Sequence, residues 1–235
     1  MKRVVLLLAA ALASCTPPQK APPTDAQTDH ELGIVMALGV QETSQLKVGQ
    51  WALYSVRTAG STDLLSTRLA VVAQDADTYW IENRTRAPSS PGGPQRTMIT
   101  KYLIDASAKP VQLWVGEPGT SRPTKVYPGK DATGKPIEPA KPADTVPQAK
   151  VDISAETITV TSGKPYECTR LTSKVTYPGG KETTLVTWCN KDIPFPTVYL
   201  GKSYGGVVRR TYGKHTLELE LKGTDAVPEL TIPEK

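Results

Sequence analysis

YECTRLTSKVTYPGGKETTLVTWCN, Tyr166 to Asn190, decides the fold. Two runs rich in Thr, Val and Leu flank Tyr177-Pro178-Gly179-Gly180, which reads as a four-residue hairpin loop. With that loop Thr176 faces Lys181, and Cys168 falls directly opposite Cys189. Facing residues of an antiparallel pair lie about 4.5 to 5.5 Å apart at Cα, a span that a disulfide bridges, so the register predicts a Cys168 to Cys189 disulfide. The same register sets Leu171 opposite Val186, Thr169 opposite Trp188 and Val175 opposite Glu182 on one face. Arg170, Thr172, Lys174, Lys181, Thr183 and Thr187 take the other, the two-sided pattern of a half-buried sheet. A C-x-x-C spacing is absent, so the bridge is read as structural.

An exported chain is the setting in which such a bridge forms. Met1-Lys2-Arg3 is basic, Val4 to Ala13 carries no polar side chain, and Leu12-Ala13-Ser14-Cys15 closes the segment. This is the pattern of a secretory signal, too short to span a bilayer, which takes about 20 apolar residues. The last four residues resemble the bacterial lipobox. That resemblance implies cleavage after residue 14, lipidation (palmitate among the acyl groups) of Cys15 and anchoring to a membrane through the N-terminal lipid. It also accounts for the odd one of three cysteines. Thr16, rather than an aspartate, follows the cysteine, and lipoproteins of that pattern resemble those sent to the cell outer membrane.

Cleavage would lower the formal charge from +5 to +3, because Lys2 and Arg3 leave. The remaining basic residues are scattered, with no aromatic and arginine platform, so nucleic acid is not an expected partner. Many Thr and Val residues with nine Tyr, four Trp and one Phe suit strands.

Residues 15–28 combine proline with small polar residues and read as an extended tether. Asp29 to Gln41 is the one helix candidate, weakened by two glycines. Trp51–Arg57, Leu64–Ala73, Thr78–Thr85, Arg96–Ile104 and Pro110–Gly116 then read as strands joined by turns too short for crossover helices. From 117 to 150 seven prolines and spaced lysines predict a long excursion with at most a short strand at Thr124–Tyr127. Strands resume at Val151–Thr161 and, beyond the hairpin, at Tyr199–Tyr212 and His215–Leu221. The last of these alternates Leu217, Leu219 and Leu221 against Thr216, Glu218 and Glu220, with the glutamates expected on the solvated side. Residues 226–235 form a polar C-terminal tail. The expectation is one mainly β domain over 29–225 with at most one or two short helices, its single antiparallel sheet curved or a half-barrel as the family resemblance described below implies.

Sites of catalysis are not apparent. His30 and His215 belong to no ligand or triad pattern and read as surface residues. Gly201-Lys202-Ser203 lacks the upstream glycine of a phosphate loop, since position 196 is proline. No nucleophile elbow, glycosidase-like carboxylate pair, metal motif or cofactor fingerprint is present, and the chain reads as non-enzymatic.

Lipobox, apolar segment and long meander occur in this order in the LolA/LolB lipoprotein-localisation family, which the chain resembles. Thr187 to Thr224 carries the resemblance further: a Trp-containing strand, Asp192-Ile193-Pro194 with Phe195, the Gly205-Gly206 step into Val207-Val208, and a Leu-rich strand before Gly223. The resemblance implies a half-barrel whose apolar concave face is covered by helices. It implies, too, that this face holds a lipid or a lipoprotein acyl chain, with Trp51, Trp80, Trp114 and Trp188 as wall residues. Plain core is the other reading of those tryptophans. The alternative function is a structural or assembly subunit that docks envelope proteins through its Pro-rich arm and strand edges.

Overall fold

The computed structural model describes residues 32–90, 92–120, 122–127, 149–176 and 182–232, with the backbone alone at 149–150 and 175–176. Cys15, the signal segment, the tether, His30, most of the Pro-rich excursion and the hairpin loop therefore lie outside the described residues.

Among the described residues the chain forms one open antiparallel sheet of eleven strands. A meander, β1 (Trp51–Thr58), β2 (Leu64–Asp75), β3 (Thr78–Pro88), β4 (Gln95–Ile104), β5 (Pro110–Gly116) and β6 (Thr124–Val126), makes one half. The other half holds β7 (Ala149–Thr159), β8 (Pro165–Thr176), β9 (Glu182–Asn190), β12 (Gly206–Tyr212) and β13 (His215–Gly223). Two-residue strands β10 (Val198–Tyr199) and β11 (Lys202–Ser203) form a separate hairpin, which splits the continuous strand expected over 199–212. The order is β6-β5-β4-β3-β2-β1-β13-β12-β9-β8-β7, so the halves join where the first strand pairs with the last. The Pro-rich excursion leaves from one edge strand and returns at the other. Among the described residues helix is confined to 32–36 and ends short of the expected Gln41, with Gly39 soon after and irregular chain beyond.

Strand alternation and the observed register divide the side chains between two faces. Tyr54, Leu69, Val71, Ile81, Tyr102, Tyr212 and Leu217 lie on one, the tyrosine face. Val35, Leu38, Leu46, Ile193 and Phe195 join them in a single apolar core, so this face is covered by the N-terminal segment and the loop after β9. That loop approaches closely enough that a Cβ at Gly206 would collide with the Pro194 carbonyl.

Trp51, Trp80, Trp114 and Trp188 all lie on the opposite, tryptophan face. Trp80 precedes the tyrosine-face Ile81, Trp114 pairs with Lys101 beside Tyr102, and Trp188 pairs with Arg209 beside Arg210. At Gly223, which pairs with Trp51, an added Cβ would sit 2.6 Å from the indole nitrogen, so glycine leaves the ring its place.

The sheet is curled. Thr161, just past β7, donates its backbone N–H to Glu218 Oε1 on β13 at 2.7 Å. In sheet order β12, β9 and β8 separate those two strands, and four flat strand spacings would hold them roughly 19 Å apart. The β7–β8 hairpin therefore bends over the tryptophan face, burying Ile158, Val160 and Cys168.

The disulfide expectation is overturned. Thr169, not Cys168, pairs with Cys189, and Thr176 pairs with Glu182, a register one residue removed from the expected one. A one-residue slip turns every side chain of one strand to the other face. Cys168 accordingly shares the tryptophan face with Glu156 and Arg170, while Cys189 shares the tyrosine face with Thr187 and Arg210. Both are free, buried thiols. Burial raises each above its ordinary value, Cys168 to about 11.

Candidate functional site

Two features stand out: the tryptophan face, with the C-terminal tail on it, and an open groove at the β7–β9 end of the sheet. On the tryptophan face, β3 and β4 bring Glu82 opposite Lys101, both less than a tenth exposed and 3.2 Å apart. The pair grips the tail. Glu82 accepts the backbone N–H of Glu229 at 2.9 Å and of Leu230 at 3.1 Å, and Lys101 donates to the Leu230 carbonyl at 2.8 Å. The Glu229 carboxylate in turn meets Arg68 at 2.8 Å and Arg84 at 3.3 Å. Leu230 is completely buried, and a Cβ added at Gly116 would come within 2.9 Å of it. Ala226 packs with Ala70, Val72, Trp51 and Trp80, and the Trp51 indole N–H donates to Asp225 at 2.7 Å.

The four tryptophans thus share a face but not a pocket. Trp51 and Trp80 lie together under the tail, Trp114 lies under Lys125, and Trp188 donates to Glu156 at 2.9 Å with Arg170 over its ring. Trp188 also packs against the main apolar core, which takes in Ile158, Val160 and Cys168 of the curled hairpin as well as the cover segments.

The glutamates of β13 are not two members of one solvated row. A bulge at Glu220 breaks the alternation and leaves Leu221 exposed, and the curl of the sheet buries Glu218. Glu218 accepts from Arg209 Nε at 2.7 Å and from Thr161. Burial pushes its carboxyl up, but the hydrogen bonds from Thr161 and Arg209 and the Arg209 charge outweigh burial and hold it below the ordinary glutamate range. His215 is buried too, its Nδ1 bonded to the Thr58 hydroxyl at 2.9 Å, rather than at the surface.

The groove, about 930 Å³, opens between the β7–β8 hairpin, the end of β9 and the β10–β11 hairpin. Lys164, Lys191, Lys202 and Lys222 line it against Glu167 and Asp192. Lys164 lies over Tyr166 and Lys202 over Tyr204, each about 5 Å from the ring centroid. The exposed Ile153 contributes an apolar wall, and Leu200, 87% exposed, tips the β10–β11 hairpin whose Lys202 and Ser203 line the groove.

Sequence reasoning passed over Glu82, Lys101, Glu229 and Arg210. The signal was a charge set inside an apolar run: Tyr79-Trp80-Ile81 before Glu82, and Tyr102-Leu103-Ile104 after Lys101. Among the described residues no group of His, Cys, Asp and Glu is placed to hold a metal, and no helix is long and apolar enough to cross a membrane. Compared with protein-family models, curated proteins and solved structures, the chain matches none significantly.

Proposed function

We propose that this chain is a lipid-anchored, non-enzymatic protein of the cell envelope that works by docking another envelope component, with the groove beside Lys164 and Lys202 as its contact surface. The lipobox at Leu12 to Cys15 is the ground for the anchor and the outer-membrane location. One observation favours docking over carriage of an acyl chain: the apolar side of the curled sheet is filled by the chain's own Leu38, Leu46, Ile193 and Phe195. The cavity beneath that cover is about 10 Å³, room for no more than one water molecule. By contrast the groove is open, and its tyrosine-backed lysines, mixed charge and exposed Ile153 and Leu200 have the composition of a protein contact. The resemblance to the LolA/LolB-like proteins, in which that interior would serve lipid, is carried by the sequence from Thr187 to Thr224.

Photocrosslinking in cells from a reactive amino acid placed at Tyr166 tests the docking surface. A discrete adduct with another envelope protein is expected, lost on reversing Lys164 and Lys202 to Glu. No adduct from the groove, with acyl lipid bound to the purified domain, would restore the carrier reading. Cys15→Ser, followed by detergent partitioning, tests the anchor separately: the variant should move from the membrane to the aqueous phase.

A further inference from the structure

The two edges of the sheet differ in what they leave open. At one, β6 is three residues long and lies between Pro123 and Pro128 in the sequence, the brevity and proline that blunt an edge against further pairing. At the other, β7 runs for eleven residues without a proline, and among the described residues no strand lies beyond it. Asp152, Ile153, Ser154, Ala155, Thr157 and Thr159 are all exposed.

The direction of the main-chain groups follows from the β7–β8 turn. Val160 donates its N–H to the Lys164 carbonyl at 3.1 Å, and the register between the strands runs on from there without a break. In an antiparallel ladder successive residues turn their N–H and C=O to opposite sides. Ile158, Glu156, Ser154, Asp152 and Lys150 therefore bond to β8, whereas Thr159, Thr157, Ala155, Ile153 and Val151 turn their groups outward. Pro165, which has no N–H to give, pairs with the outward-turned Thr159, as this parity requires. The open edge thus carries a row of main-chain donors and acceptors of the kind that another strand completes.

We infer that β7 is a self-pairing edge, to which the β7 of a second copy of this chain adds antiparallel about a two-fold axis at Ile153. Centred there, Ile153 faces its own copy, Val151 faces Ala155, Asp152 faces Ser154 and Lys150 faces Glu156. Outward-turned residues then exchange hydrogen bonds, apolar residues meet on the tyrosine face, and opposite rather than like charges stand at facing positions. An axis at Ala155 would gain no charge pair and would set Ile153 against Thr157; an axis at Val151 would shorten the overlap within the strand to residues 149–153. A single strand pair is a small interface, and confinement of both copies to one membrane raises their effective concentration. The pairing takes the lipid anchor from the proposed function and nothing from its lysines: reversing Lys164 and Lys202 should leave the pair intact, which separates its failure from that of the docking surface.

The test is cysteine crosslinking of the full chain in intact cells, oxidised by oxygen with a copper catalyst. Ile153→Cys should give a disulfide-linked dimer of twice the chain mass, because facing Cα atoms of a hydrogen-bonded pair lie about 5.5 Å apart. Val151→Cys and Ala155→Cys should each give little alone, and the two expressed together should give the dimer again. Val227→Cys, on the exposed part of the tail, measures collision between anchored copies, and Ile153→Cys should exceed it several-fold. Ile153→Pro removes an outward N–H and spares the bonds to β8, so it should abolish the dimer of the Val151→Cys and Ala155→Cys mixture with little change in thermal midpoint. Should that variant fail to fold, the pattern among the cysteine variants decides alone. A yield at Ile153→Cys no higher than at Val227→Cys, or equal yields from Val151→Cys and Ala155→Cys apart and together, would overturn the pairing.

Discussion

At Glu82 and Lys101 the cost of burying ions is met by a pair whose remaining hydrogen-bonding capacity is spent on the tail backbone. Removing one partner leaves the other buried and alone, so Lys101→Met should cost about 3–5 kcal/mol in urea unfolding, whereas Lys101→Met with Glu82→Leu should cost less. Tyr102 gives the opposite sign. Among the described residues its buried hydroxyl has no hydrogen-bond partner, and Tyr102→Phe should be neutral or stabilising by about 1 kcal/mol. Glu218 sets a pH dependence. Its folded carboxyl titrates below the ordinary value of 4.5, so its contribution is complete above that pH and is lost as the pH falls through the lower folded value. Stability measured by chemical unfolding should decline below about pH 4.5, and Glu218→Gln should flatten that decline. Individual residues of this kind were the least legible part of the sequence. Alternation placed Glu218 on the polar side of its strand, and only the curl of the sheet, which brings Thr161 over it, makes that side an interior.

Single elements were more legible where turn chemistry and alternation agree. Ends of β1, β2, β4 and β5 fall within two residues of those expected from turn signals and hydrophobic alternation. Register was not. Tyr177-Pro178-Gly179-Gly180 suggested a four-residue loop, but the pairing of Thr176 with Glu182 places five residues between the strands, and one residue separates a disulfide from two thiols on opposite faces. Titration of the denatured chain under non-reducing conditions should therefore find Cys168 and Cys189 both reactive, with no change on prior reduction. The tail was read as polar because prolines and charges dominate its composition, while Ala226 and Leu230 are the two that bury among its described residues 226–232. Leu230→Ala should cost about 2–5 kcal/mol, and the same substitution at the exposed Val227 little.

On the scale of the whole molecule, composition and turn spacing announced a single antiparallel sheet, the family resemblance implied its curvature, and that architecture is present. Local patterning says nothing about which strands far apart in sequence will pair. The union of β1 with β13, and the placement of the Pro-rich excursion between opposite edges, arise from long-range burial rather than from any turn. The same burial determines what the sheet is available to do, because the chain's own segments occupy its tyrosine face and its tail occupies part of the other. The proposed docking role, rather than acyl carriage, rests on that occupancy. Native mass spectrometry of the domain from residue 29 onward, expressed in the envelope and released without detergent, examines it most directly. A filled interior predicts the mass of the polypeptide with no more than small ions attached; an amphiphile retained at one per chain would contradict it.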